Sequence, residues 1–263
     1  MPRPIIAALT DFGLRDHYVA AMKAVALGIC PDVTFVDITH DIAPQDVAGA
    51  ALELDACYAY FPHGTIFLVV VDPGVGSARR AIAAAAGPYR FVAPDNGVIF
   101  PVLKGLPDRR VVELTDPKYA RPTVSRTFEG RDRFAPAAAW LATGVDLAAF
   151  GPRVDDVVEF ELAAADEAGD RLSGEVVRVD RFGNLITNID RGMLESFLEG
   201  GSGVVDIAGR TAPIVATYDE VPVNALCALV SSSDHLEVAV NGGSAAAAVA
   251  ALRGAAVHVR KRA

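Results

Sequence analysis

Val69-Val70-Val71-Asp72-Pro73-Gly74-Val75-Gly76-Ser77-Ala78-Arg79-Arg80 is the stretch on which the fold turns. An apolar, β-branched run stops abruptly at an acid, two glycines and two arginines. A parallel strand covered on both faces reads as such an uninterrupted run. In open α/β sheets ligands collect beyond the carboxyl ends of the strands, which places Asp72 and Arg79 to face one small cavity. Gly74 and Gly76 permit positive φ and close backbone approach, so amide donors there can meet a ligand or an anion. The plain alternative is a tight turn carrying an Asp-Arg surface pair, worth about 0–1 kcal/mol.

Outward from this turn, strand-like runs at 5–9, 34–38, 65–71, 89–93 and 110–113 alternate with helix-compatible stretches at 17–28, 44–60 and 134–143. Alternation of this kind implies an α/β domain with a mostly parallel sheet covered on both faces. Turn residues fall between the elements at Pro31-Asp32, Pro62-His63-Gly64 and Asp95-Asn96-Gly97. The texture changes after Pro152. Residues 163–170 are small, polar and aperiodic, as in a linker or hairpin tip, and divide an N-terminal α/β domain (1–162) from a C-terminal domain (171–263). In the latter, short alternating segments at 174–180, 185–189, 203–207, 226–230 and 236–240 suggest an antiparallel sheet or small barrel.

With 263 residues, 52% of them hydrophobic, the chain can bury a full core without staples. Three cysteines, Cys30, Cys57 and Cys227, form no C-x-x-C pair, so neither a zinc knuckle nor a disulfide framework is implied, and a reducing cytoplasm is expected. No targeting segment is visible, and the alanine-rich tract 244–252 is too short to span a bilayer; a soluble protein with no membrane partner is expected. A net charge of −9 argues against nucleic acid and for a small-molecule substrate. The basic tail 258–262 reads as a solvated strand end. No histidine spacing suits a metal.

Four further clusters carry candidate chemistry. Thr10-Asp11-Phe12-Gly13-Leu14-Arg15-Asp16-His17 follows the first strand and opens the first helix. Asp11 at a strand end suits a ribose diol, whereas Asp16 or Thr10 can equally cap the helix. In Thr127-Phe128-Glu129-Gly130-Arg131-Asp132-Arg133-Phe134, Arg131 and Asp132 can pair or satisfy the helix end, while Glu129 precedes the glycine and stands apart. Asp180-Arg181-Phe182-Gly183-Asn184 offers an aromatic face and an amide that donates and accepts, the pair a purine needs, although ordinary core and turn roles fit Phe182 and Asn184 as well. Ser231-Ser232-Ser233-Asp234 and Asn241-Gly242-Gly243-Ser244 read as hairpin loops whose hydroxyls and amides can hold a carboxylate or a base edge.

Taken in order, Thr10-Asp11-Phe12-Gly13 with Asp16, Val36-Asp37-Ile38-Thr39-His40-Asp41-Ile42 with Pro44-Gln45-Asp46-Val47, the Asp72 turn, Ala93-Pro94-Asp95-Asn96-Gly97, Phe134-Ala135-Pro136 and Phe182-Gly183-Asn184 resemble the S-adenosylmethionine hydroxide adenosyltransferases, relatives of fluorinating and chlorinating enzymes. The resemblance runs from about residue 5 to about residue 245. It implies an α/β domain followed by a β-barrel-like domain, and a homotrimer with sites between subunits. It also implies hydrolysis of S-adenosylmethionine to adenosine and methionine without metal or cofactor. By the same resemblance Asp11 would hold the ribose hydroxyls, Asp16 the methionine ammonium, Phe182 and Asn184 the adenine, Ser232 the methionine carboxylate and the backbone near Gly242 the adenine edge. Ser233 stands where the halogenating relatives have arginine. At the reacting end the family's Asp-Arg-His triad is matched by Asp72 and Arg79, but Glu129 replaces the histidine. Glu129 is therefore expected to take a hydrogen-bonding or general-base role, its charge offset by Arg79, the rival being a purely structural ion pair. A halogenase-like enzyme, a methyltransferase and a non-catalytic adenosine-binding protein are the alternatives. The acid at Asp72, where halogenating enzymes carry tyrosine, favours water as nucleophile.

Overall fold

The run at Ile66–Val70 is buried along its whole length because its alternate side chains enter two different cores. In the computed structural model, which describes residues 3–161 and 163–262, two compact units separate at Met1–Glu161 and Leu162–Ala263. Met1, Pro2, Leu162 and Ala263 lie outside the described residues, and with them the expected end of the first domain at residue 162.

The first unit runs β1 (Ile5–Thr10), α1 (Tyr18–Ile29), β2 (Thr34–Thr39), α2 (Val47–Cys57), β3 (Ile66–Val70), β4 (Ala81–Ala86), β5 (Tyr89–Pro94), α3 (Phe100–Gly105), β6 (Arg110–Glu113) and α4 (Ala135–Ala142). Its sheet has the order β2-β1-β3-β5-β4-β6. β1 pairs parallel with β2 and β3, and β3 with β5, while β4 runs antiparallel to both its neighbours. Ile66, Leu68 and Val70 pack with α1 and α4 on one face. Phe67, Val69 and Val71 pack with α2 and α3 on the other. Central burial thus accounts for a sequence with no polar alternation.

Sequence reading misses β4 and α3 and leaves 81–86 without an element. An Ala-Ile-Ala-Ala-Ala-Ala run carries no strand preference of its own, and pairing on both sides overrides it. The expected helix 44–60 starts later, at Val47, because Asp46 caps it by accepting from the Gly49 amide at 2.9 Å; its last residues form a 3-10 turn at Tyr58–Tyr60. α4 is preceded by a π-helical turn at Gly130–Phe134.

The second unit runs β7 (Asp166–Ala168), β8 (Arg171–Val179), β9 (Leu185–Asp190), α5 (Arg191–Leu198), β10 (Gly203–Ile207), β11 (Arg210–Pro213), β12 (Leu226–Val230), β13 (His235–Val240), α6 (Ala245–Val249) and β14 (Ala256–Lys261). The sheet order is β11-β10-β14-β8-β9-β13-β12, with each strand antiparallel to its neighbours and β7 paired to β8 off this path. A bridge between Ile214 and Ala228 brings the two ends together, so the sheet is nearly closed around a core that includes Leu172, Val176, Leu185 and Val259.

Of the two readings of residues 163–170, linker or hairpin tip, the hairpin is the one seen: Asp166–Ala168 pairs with Arg171–Ser173 and belongs to the second unit. The basic tail closes β14, which lies between β10 and β8; Val257 and Val259 are fully buried, while Arg260, Lys261 and Arg262 at the strand end are exposed, as expected of a solvated strand end. The Asn241–Ser244 stretch is not a hairpin loop. It leads into α6, which Ser244 caps through the Ala247 amide at 3.2 Å.

Candidate functional site

Thr10 at the end of β1 lies beside Val70 at the end of β3, so Asp11 and Asp72 leave adjacent parallel strands at the same edge of the sheet. The Val71 carbonyl, just before Asp72, accepts from Asn96 Nδ2 at 2.9 Å, which fixes where the strand ends and the turn begins. Gly76 has φ +75°, and a Cβ there would lie 2.3 Å from the Arg126 carbonyl oxygen. The glycine therefore lets the 126–129 segment close over the Asp72 turn.

That segment brings Glu129 to Arg79. Arg79 Nε donates to Asp72 Oδ1 at 2.9 Å, and Nη2 donates to Asp72 Oδ2 at 2.5 Å and to Glu129 Oε2 at 2.7 Å. All three side chains are nearly buried, at 11%, 6% and 12% exposure for Arg79, Asp72 and Glu129. The Phe134 ring lies 5.2 Å beneath the guanidinium. Burial works against the Arg79 charge, but hydrogen bonds and attraction from Asp72 and Glu129 outweigh it and hold the guanidinium above its ordinary pKa. Arg133, one turn on, stands 3.7 Å from Glu129. Arg79 thus stands between two carboxyl groups, whose acceptor oxygens are the groups a bound water would meet.

The π-helical turn is tied down by Asp132, which is fully buried. It accepts from Arg131 Nε at 2.7 Å and from the Ser125 amide at 2.9 Å, while its backbone carbonyl accepts from the Arg121 amide at 2.8 Å. Of the two expected roles of Asp132, the pair with Arg131 is therefore seen, and the loop before Glu129 is held with it. Burial would raise the Asp132 pKa, but Arg131 and the Ser125 amide bring it below the usual carboxylate range.

Asp11 accepts from the Gln45 amide at 2.8 Å through Oδ2. Asp16 is exposed ahead of α1, whose N-cap position is His17 with no side-chain cap, so neither Asp16 nor Thr10 caps that helix. Thr10 Oγ1 instead accepts from the Phe12 amide at 3.3 Å and lies 2.9 Å from buried His40 Nδ1. Phe12, Tyr18 and Phe128 meet with ring centroids 5.1–5.9 Å apart, joining the Asp11 turn to the Glu129 segment. His40 has no assigned role from sequence, although it stands in one of the motifs quoted above.

The second unit carries the other candidates. Asp180 organises the β8–β9 turn: its Oδ1 accepts from the Phe182 and Asn184 amides at 2.8 Å each, and its Oδ2 accepts from Asn184 Nδ2 at 3.0 Å. A carboxylate only accepts, so the Asn184 amide group is oriented and keeps its carbonyl and one N–H for a ligand. Gly183 has φ +84°, and a Cβ would fall 2.0 Å from Ser244 Oγ. Phe182 is 77% exposed, which rules out the core role that sequence alone leaves open. Phe182, Asn184, Tyr218, Val240, Gly242 and Gly243 line a cavity of about 520 Å³. Tyr218 is absent from the sequence-derived candidates; Thr217 and Glu220 form a capping box around it, a T-x-x-E signal that marks the turn but not the ring. Ser232 is exposed at the β12–β13 hairpin, where Ser231 and Ser233 hydrogen-bond to each other at 2.9 Å.

Comparison with known proteins gives the same outline. Residues 6–151 match the SAM hydroxide adenosyltransferase N-terminal domain and residues 174–258 the C-terminal domain. The chain is 41% identical to the (R)-S-adenosyl-L-methionine hydrolase of Thermus thermophilus, covering 95% of this chain and 97% of that protein. It is 38% identical to a protein of the same name from Salinispora arenicola, covering 97% of each. A fluorinase from Nocardia brasiliensis is 32% identical, covering 93% and 92%. Among solved structures, an uncharacterized conserved protein from Thermotoga maritima superposes with a TM-score of 0.92 at 33% identity, over 97% of this chain and 100% of that one.

Proposed function

This chain belongs to the SAM hydroxide adenosyltransferase family, and from that premise we propose that it hydrolyses S-adenosyl-L-methionine to adenosine and L-methionine. The observation that carries the reading is the Asp72–Arg79–Glu129 trio at the carboxyl edge of the first sheet. The name of its relatives points to the (R) form of the substrate.

The substrate brings its own activation, because the sulfonium leaves as a neutral thioether. Water attacks the ribose 5′ carbon in line with sulfur; the C5′–O bond forms as the C5′–S bond breaks, and one water proton passes to a carboxylate. Holding water, carbon and sulfur in line lowers the barrier by up to about 7–11 kcal/mol. Asp72 and Glu129 supply acceptors for the water protons, and Arg79 stabilises the developing hydroxide. The Asp72 and Glu129 oxygens accept hydrogen bonds, which water can donate and a halide cannot, and this favours water over chloride or fluoride.

Asp11 holds the ribose hydroxyls and Asp16 the methionine ammonium in this reading. Phe182 and Asn184 hold the adenine, with the backbone at Gly242 at its edge and Ser232 on the methionine carboxylate. On the strength of the family likeness we further propose a homotrimer with sites at subunit interfaces, acting in the cytoplasm without metal or cofactor. Among the described residues no cluster suits a metal and no helix is long and apolar enough to cross a membrane.

The test is incubation with each sulfonium epimer of S-adenosylmethionine, with and without chloride or a chelator, followed by chromatography. Adenosine and methionine, formed without dependence on either addition, are expected. S-adenosylhomocysteine would mean methyl transfer, a 5′-halogenated nucleoside would mean halogenation, and unchanged substrate would mean a binding protein.

A further inference from the structure

Glu237 plays no part in the steps above, yet a carboxylate sits in β13 with only 4% of its surface exposed. Leu236, Val238 and Val240 on the same strand enter the main core of the unit. Glu237 lies on the other face, paired across the sheet with Leu229 and Ile186, both buried. Burying a carboxylate among apolar neighbours is costly unless a donor meets it. Burial raises the Glu237 pKa above the ordinary carboxylate range, with the Tyr218 hydrogen bond opposing the rise, the Asp180 charge adding to it and Arg178 opposing it.

One donor is the Tyr218 hydroxyl, 2.7 Å from Oε1, and the Arg178 charge also acts on this carboxylate. Tyr218 is the residue whose ring lines the cavity with Phe182 and Asn184, and it is 42% exposed. Its backbone is fixed independently, since Glu220 Oε1 accepts from the Ala216 and Thr217 amides at 3.0 and 3.1 Å. A half-exposed tyrosine held only at its Cα would sample several χ1 rotamers. Held at the hydroxyl as well, the ring is fixed at both ends before any ligand arrives, and the ordering cost is met in advance.

We infer that Glu237 is a positioning residue for the nucleoside base: it anchors the Tyr218 hydroxyl and so keeps that ring as a second aromatic wall of the cavity beside Phe182. The inference rests on the reading of this cavity as the adenine site. A purine, with an extended π face, gains from a preset aromatic wall, whereas the reacting trio in the other unit is untouched by it.

The experiment compares Y218F, E237L, E237Q and the double variant Y218F/E237L. Three quantities are measured: the Kd for adenosine by calorimetry, KM and kcat for S-adenosylmethionine, and the thermal midpoint. Y218F and E237L should each raise Kd and KM about tenfold with kcat within about twofold, as expected when pre-organisation rather than chemistry is lost. The double variant should be no worse than either single one, because both remove the same bond. E237Q keeps a carbonyl acceptor for the hydroxyl and should restore Kd to within about threefold of wild type. If E237L does not fold, Y218F decides alone, since it deletes one hydroxyl from a half-exposed ring. Wild type that binds adenosine, with Y218F binding it equally well, would overturn the assignment of Glu237 alone. Wild type that binds no adenosine would overturn the reading of the cavity and this inference with it.

Discussion

Replacing Glu129 by glutamine separates the two roles open to this side chain. In the structure Glu129 Oε2 accepts from Arg79 Nη2 at 2.7 Å with the side chain 12% exposed. An amide carbonyl in the same place still accepts that bond, so E129Q keeps the geometry of Arg79 while removing the negative charge and the capacity to take a proton. If the carboxylate is the proton acceptor for the attacking water, kcat should fall by about 10²–10⁴, which is roughly 3–5 kcal/mol of barrier. If it serves only to hold Arg79, the loss is that between a charged and a neutral acceptor, about 1 kcal/mol or roughly fivefold. The assay is the initial rate of adenosine release, with kcat and KM resolved and each protein's thermal midpoint recorded. E129A, which also leaves Nη2 with Asp72 alone, should be at least as slow as E129Q. E129H, which installs the residue the resembling family carries, should recover part of the rate. A kcat for E129Q and E129A within about fivefold of wild type would refute the catalytic assignment and leave Glu129 a structural partner of Arg79.

Three further outcomes are expected. N184A should raise KM for S-adenosylmethionine by about 10–100-fold with little change in kcat, since it removes an oriented amide from the base site but nothing from the reacting trio; steady-state kinetics checks this. G76A should lower stability by about 1–3 kcal/mol in denaturant unfolding, because its Cβ meets the Arg126 carbonyl at 2.3 Å and the residue has φ +75°. Asp206 titrates at about 2, held down chiefly by its hydrogen bond to Arg260, against burial, and also by the Thr211 hydroxyl and the Arg260 and His258 charges. A depressed carboxylate contributes stability that is complete above its ordinary value of 3.8 and is lost as pH falls through about 2. NMR titration should show R260Q returning Asp206 toward 3.8, with less acid-dependent loss of stability in that window.

Much of the framework is legible because it rests on local pattern. The continuous apolar run ending at Val71 announces a strand buried on both faces, and the short runs at 226–230 and 236–240 announce strands of a second sheet, although burial of the second face of β13 is not legible from them. The acid-glycine-arginine turn at 72–79 is adjacent in the chain, so its pairing follows from proximity. Asp72 and Arg79 do meet, and Glu129, 50 residues further on, joins them. What escapes local reading depends on partners remote in sequence. The alanine run 81–86 is a strand only because β5 and β6 flank it, and the place of β14 inside the sheet follows only from β10 and β8 on either side of it.

Residue types and their order determined the division into an α/β unit and a β unit, the candidate acids and the likeness to a family, since these depend on which chemical groups occur at which spacing. Tertiary structure alone decided that Phe182 is exposed rather than core, that Asp16 is not a cap, and that Tyr218 lines the Asn184 cavity with its hydroxyl on buried Glu237. Burial and hydrogen-bond partnership are properties of surroundings supplied by distant parts of the chain, and no local pattern contains them.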